Sequence, residues 1–122
     1  MTDPELDRVI DAWIAAMDAG PGSDTYTANW WAVDEVMGFG PEQTWVFVLS
    51  VNRLEVSSRV TANLAAGPLE DLLVYHGSSY IDRVEAEAMK NERFRSLLGG
   101  VWRRDMRDDV WQRVQKLHSV KW

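Results

Sequence analysis

Five residues near the middle of the chain have the types that acid–base or metal chemistry requires: Glu70, Asp71, His76, Asp82 and Glu85. An imidazole among carboxylates can move a proton or, with enough ligands, hold a metal ion. Asp82 and Glu85 are three residues apart, so a helix sets both on one face. Read as catalytic, the cluster describes a small hydrolytic or metal-assisted enzyme. The same residues also read as helix-end charges. Glu70 and Asp71 follow Pro68 and would meet the free N–H groups of a helix starting there. Asp82 comes early in the next helix, and His76 precedes the stop signal Gly77. This second reading accounts for every member without a substrate, and it is the one the spacing favours.

Other chemistry finds less support. The sequence has no cysteine and two histidines, His76 and His118. A zinc site would therefore rest mostly on carboxylates, and no metal or other cofactor is expected. Ser78-Ser79 beside His76 lacks the Gly-x-Ser-x-Gly elbow of a serine nucleophile. Gly20-Pro21-Gly22-Ser23 lacks the lysine of a phosphate loop.

Charge is distributed unevenly. Residues 1–82 carry 13 acidic and three basic side chains, a net of −10, and residues 83–122 carry six acidic and ten basic ones, a net of +4. An acidic body repels phosphate backbones and attracts basic proteins, so a basic protein partner is expected and nucleic acid is not. The basic run of Arg93, Arg95, Arg103, Arg104, Arg107, Arg113, Lys116 and Lys121 is interrupted by Asp105, Asp108 and Asp109. It reads as a solvated face, or as one that meets the acidic half of a second copy in a homo-oligomer. The first residues are acidic rather than basic and apolar, and no apolar run approaches the ~20 residues of a membrane span. A cytoplasmic protein without a membrane association is expected.

These groups must be positioned by helices. Asp3-Pro4 is an N-cap followed by a first-turn proline, and Leu6, Val9, Ile10, Trp13 and Met17 then share one face. Gly20-Pro21 ends that helix. Gly40-Pro41 and Gly67-Pro68 each predict a new start. Further helices are predicted around 28–37, 58–66 and from Ser78 or Ser79, with Asn91 capping another and Gly99-Gly100 breaking it. A last helix carries Val110, Trp111, Val114 and Leu117. Thr44 to Val51 is valine-rich, but no partner strand exists for it, so helix is retained. The expectation is an all-α single domain over 1–122, with seven or eight short helices in antiparallel hairpins, as a HEAT-like stack or a compact irregular bundle.

Seven tryptophans are present. Trp13, Trp45, Trp102 and Trp111 lie on apolar faces and are predicted core. Trp30 and Trp31 are adjacent, so a helix turns them about 100° apart. Two neighbouring elements are expected to bury both; failing that, one becomes a rim anchor for a partner.

The segment from Leu64 to Val114 resembles a family of small bacterial helical proteins of unknown function. The likeness rests on Ala66-Gly67-Pro68-Leu69-Glu70-Asp71-Leu72-Leu73, His76-Gly77, Tyr80-Ile81-Asp82-Arg83-Val84-Glu85, Phe94-Arg95 with Leu98, Val101-Trp102, and Val110-Trp111-Gln112-Arg113-Val114. Trp30-Trp31-Ala32-Val33-Asp34 is similar to the family's N-terminal part. The resemblance implies a helical fold and assigns no activity, ligand or catalytic residue. From the small size, the absence of a chemical motif and the net of −10 over residues 1–82, the leading expectation is a non-catalytic protein-binding module, immunity- or antitoxin-like. Its acidic face would comprise Asp7, Asp11, Asp18, Asp34 and Glu35 with Trp30 and Trp31.

Overall fold

A computed structural model describes residues 3–118, and every regular element among them is helical. The order is α1 (Pro4–Ala19), α2 (Asp24–Met37), α3 (Pro41–Asn52), α4 (Ser58–Leu64), a π turn (Ala65–Leu69), α5 (Glu70–Lys90), α6 (Glu92–Leu97), a 3-10 turn (Leu98–Gly100) and α7 (Asp108–Leu117). The chain divides into two compact units, Met1–Asn63 and Leu64–Trp122.

In the first unit the punctuation acts as the sequence predicts. The Asp3 carboxylate accepts the N–H groups of Glu5 at 3.0 Å and Leu6 at 3.3 Å. Gly20 ends α1 at φ 83°, a left-handed conformation that costs glycine little. Its N–H donates to the Ala16 carbonyl at 3.0 Å. After the tight Gly20–Ser23 connection α2 turns back along α1, capped by the Ser23 hydroxyl, which accepts Tyr26 N–H at 3.0 Å. α2 starts at Asp24, a turn earlier than predicted, because that cap lies outside the apolar pattern used to place it. Gly40-Pro41 opens α3, and Thr44 to Val51 is helix within it. Phe47 is fully buried, with the ring of Trp13 edge-on at 5.2 Å and that of Phe39 at 6.0 Å. Arg59 closes the end of α1 by donating to the Asp18 carbonyl at 3.0 Å, while Ser57 donates to the Asp18 carboxylate at 2.6 Å.

The second unit corrects two of the predicted breaks. Gly67-Pro68 does not start a helix. Pro68 has no N–H to offer the Leu64 carbonyl, and the backbone widens by one residue instead. The Glu70 N–H then bonds the Ala65 carbonyl, and the ladder resumes as α5. Gly77 does not stop a helix either. α5 passes through it with a kink at His76 (φ −135°, ψ 22°), and Ser78 and Ser79 lie inside the helix rather than capping it. Counted as continuous rods there are six helices among the described residues, fewer than expected, because these two breaks are bridged. The Asn91 cap and the Gly99-Gly100 ending are as predicted: Asn91 accepts Phe94 N–H at 3.2 Å, and the helix tightens to a 3-10 turn before an irregular segment, 101–107.

Gly77 is required by packing. A Cβ placed on it would lie 2.9 Å from Val110 Cγ1 and 3.1 Å from Val110 Cγ2, so α7 rests directly on the α5 backbone. Gly77→Ala should therefore destabilise the chain by about 1–3 kcal/mol in urea denaturation, despite alanine's better helix propensity. Combined with Val110→Ala, the loss should fall short of the sum of the two single losses, since the second change removes the clash.

Candidate functional site

The carboxylate cluster lies in the second unit, and arginines divide it into two pairs. Glu70 is 4 % exposed. Its Oε1 accepts the Trp102 backbone N–H at 2.7 Å, and its Oε2 faces Arg104 Nη1 at 3.3 Å. The same guanidinium nitrogen donates to Asp71 Oδ1 at 2.5 Å. The hydrogen bond to Asp71 is the main reason the Arg104 pKa is raised above its ordinary value, with Glu70 adding to it. Asp82 and Glu85 form the second pair, and helical spacing does set them on one face. Arg113 from α7 donates to Asp82 at 2.9 Å and also to Glu85. Its pKa is raised first by Glu85 and then by Asp82.

His76 joins neither pair. It is exposed at the kink and makes no hydrogen bond or ion pair among the described residues. It lines a pocket of about 140 Å³ with Tyr75, Ser78, Ser79, Arg107 and Val110. Among the described residues no three histidine or carboxylate side chains converge as a metal-ligand set. Glu70 and Asp71 lie in the first turn of α5 as expected, but the π turn before it leaves no open helix end there. Glu70, Asp71 and Asp82 sit within a continuous helical path, and what each carboxylate meets is a guanidinium rather than a helix end. The sequence reads Arg104 and Arg113 as part of a solvated basic face, because their partners lie about thirty residues away, beyond any local pattern.

Arg104 carries the one positive φ of a non-glycine residue among those described, 47°. An L side chain enters that region at a cost, so something must hold it there. The two carboxylates of α5 supply that hold. Three more arginines of the basic run are also engaged. Arg103 pairs with Asp108, Arg107 Nε lies 3.2 Å from Asp109, and Arg95 donates to the Ala88 carbonyl at 3.0 Å. The guanidinium of Arg107 holds the Asp109 carboxyl below its ordinary pKa. Lys121 lies outside the described residues. Trp102, predicted core, is 63 % exposed, since it falls in the irregular segment where the buried neighbour is Val101; Trp111 is half-buried.

The acidic face lies in the first unit. Asp7, Asp11 and Asp18 follow one another at i, i+4 and i+11 on the side of α1 opposite Val9, Trp13 and Ala16. All three are exposed, and Asp18 is engaged by Ser57. On α2 the expected burial of both tryptophans does not occur: Trp30 is 43 % and Trp31 37 % exposed. Within the first unit α1 covers the inner side of α2, through Ala32 and Val36, and both tryptophans lie off that side. Asp34 lies one helical turn from Trp30, and Glu35 one turn from Trp31. Neither carboxylate has an ion pair among the described residues. The Arg8 guanidinium stands 4.7 Å from the Trp31 ring centre and 3.6 Å from Glu5.

The chain belongs to a family of unknown function, DUF6869, whose model matches residues 19–121. No curated protein and no solved structure matches it.

Removing the Glu70 carboxylate should expose its role. Glu70→Ala leaves the Trp102 N–H without its acceptor and Arg104 with Asp71 alone, and should cost about 1.5–3 kcal/mol in chemical denaturation. Glu70→Gln, whose amide oxygen still accepts the Trp102 N–H, should cost less. Equal losses would mean that the charge, not the backbone bond, is what matters.

Proposed function

We propose that this protein is a non-catalytic binding module whose first unit docks a basic protein, in the manner of an immunity protein or antitoxin. The reading is carried by one observation: two tryptophans lie exposed on α2 one turn from two carboxylates that have no ion pair among the described residues. Exposed tryptophan supplies a large rigid contact area, and adjacent carboxylates choose a cationic partner. Arg8 already displays the chemistry on a small scale, with its guanidinium over Trp31 and near Glu5. The acidic stripe of Asp7 and Asp11 would guide the encounter rather than hold the complex. The occupied arginines of the second unit support a protein partner over nucleic acid, since few are left to meet phosphates. Among the described residues no helix is long and apolar enough to cross a membrane. The cytoplasm is the proposed compartment, and a cysteine-free sequence is compatible with it.

Affinity capture from the native cell with matched baits tests this. Wild type and His76→Ala should retain the same lysine- or arginine-rich protein. Trp30→Ala should weaken that complex by about 2 kcal/mol, roughly thirtyfold, as an interface anchor does. Asp34→Lys with Glu35→Lys should slow association and reduce its salt dependence. A partner or substrate retained by those variants and lost with His76→Ala would transfer the function to the pocket at the α5 kink.

A further inference from the structure

The pocket of about 140 Å³ in the second unit lies between the kink of α5 and the start of α7. Leu73 and Val110 give it apolar surface, and His76, Ser78, Ser79 and Arg107 bring polar groups to it. No carboxylate lines it, in a chain that has 19 of them. Its surroundings are also the less acidic part of the molecule. Residues 64–122 carry nine acidic and ten basic side chains, a net of +1, against ten acidic and three basic ones in residues 1–63.

The polar groups gathered here are donors that lack acceptors among the described residues. The His76 imidazole has no hydrogen bond. Arg107 gives its Nε to Asp109 at 3.2 Å, and its two terminal nitrogens have no partner. The serines supply an independent observation. A hydroxyl inside a helix commonly donates to the carbonyl four residues back. In this chain Thr27 does so at 3.2 Å, Thr44 at 3.0 Å, Ser50 at 2.8 Å and Thr61 at 3.1 Å. Ser78 and Ser79 are inside α5, and neither makes that bond. Their hydroxyls remain available on the same pocket as an unpaired imidazole and an open guanidinium.

We propose that this pocket binds the phosphate group of a monoester. Such a group carries close to two negative charges at neutral pH and three strong acceptor oxygens. Two hydroxyls, an imidazole and a guanidinium offer more donors than the two oxygens of a carboxylate can take up, and they suit three. Asp109 acts as a positioning residue, since it holds Arg107 by the nitrogen that the phosphate does not need. The volume is about half the roughly 300 Å³ at which small-molecule pockets begin, so it takes the charged group alone. The rest of the monoester would lie outside, where Tyr75, a further lining residue at 69 % exposure, offers it an aromatic ring. One open guanidinium serves one phosphate and not the repeated phosphates of a nucleic-acid backbone. The inference does not rest on the docking surface of the first unit.

NMR of the full chain, titrated with inorganic phosphate at constant pH and ionic strength, tests the proposal. Saturable shifts are expected at the His76 ring and at the amides of Gly77, Ser78 and Ser79, with His118 unmoved. Acetate should bind more weakly than phosphate. Arg107→Gln should weaken phosphate binding roughly tenfold, as the loss of a charge-assisted pair does. Ser78→Ala combined with Ser79→Ala, which favours the helix, should weaken it as well. Glycerol 3-phosphate and Nα-acetyl-O-phosphoserine N-methylamide then identify the source. Tighter binding of the first assigns a small monoester, and tighter binding of the second a phosphorylated side chain. Shifts that do not saturate, that move His76 and His118 alike, or that persist unchanged in Arg107→Gln mean an adventitious ion only and would overturn the proposal.

Discussion

A carboxylate removed from water must be satisfied where it lies, and Glu70 is the residue of this chain on which that requirement falls most heavily. At 4 % exposure it has exchanged hydration for one backbone N–H and one guanidinium. The partners come from 101–107, the longest stretch between the first and last described helices that lacks regular structure. Such a stretch has no ladder to organise it, so its conformation depends on contacts with side chains elsewhere. Glu70 fixes it at Trp102 and, with Asp71, at Arg104, whose left-handed backbone would otherwise be unfavourable. α7 begins directly after this segment and must arrive with Val110 over Gly77 and Arg113 over Asp82 and Glu85. One buried acid thus determines where a helix that begins 38 residues further on can start.

The carboxylates of the two units are used in opposite ways. In the second unit each acid of the central cluster is matched to an arginine, which leaves little charge for an external group. In the first unit the acids of α1 and of the end of α2 lie in solvent, and the cations near them are few. Exposed like charges repel one another and lower stability slightly, which a domain tolerates readily when the charge has a use outside it. Uneven satisfaction of charge, more than total charge, distinguishes the two units.

Much of the fold was legible because its signals are local. Asp3-Pro4, Gly20-Pro21, Gly40-Pro41 and Asn91 each dictate backbone geometry within a few residues, and each does what its chemistry requires. Gly67-Pro68 and Gly77 carry the same kind of signal, and the structure overrides it. At Pro68 a wider turn absorbs the missing N–H. At Gly77 the residue answers to Val110, 33 positions away, and its helix-breaking tendency is overruled by packing. The site followed the same division. The acids of the cluster and the spacing of Asp82 and Glu85 were visible, but the arginines that claim them come from α7 and from an irregular segment. The exposure of Trp30 and Trp31 depended on which side of α2 packs on α1, which no pattern within α2 records.

The π turn at Ala65–Leu69 bears on how relatives of this chain should be aligned. Leu64 and Leu69 are both buried, yet they are five residues apart, a spacing that an α-helix would turn to different sides. The wider turn restores them to one side by accommodating an extra residue. In evolutionary terms the segment behaves as a one-residue insertion that the backbone has absorbed without a loop. A relative that lacks both the proline and one residue here could present the same faces on an unbroken α-helix. An alignment forced to be gapless through 65–69 would then shift every position of α5 by one, pairing Glu70 with a residue that occupies the place of Asp71.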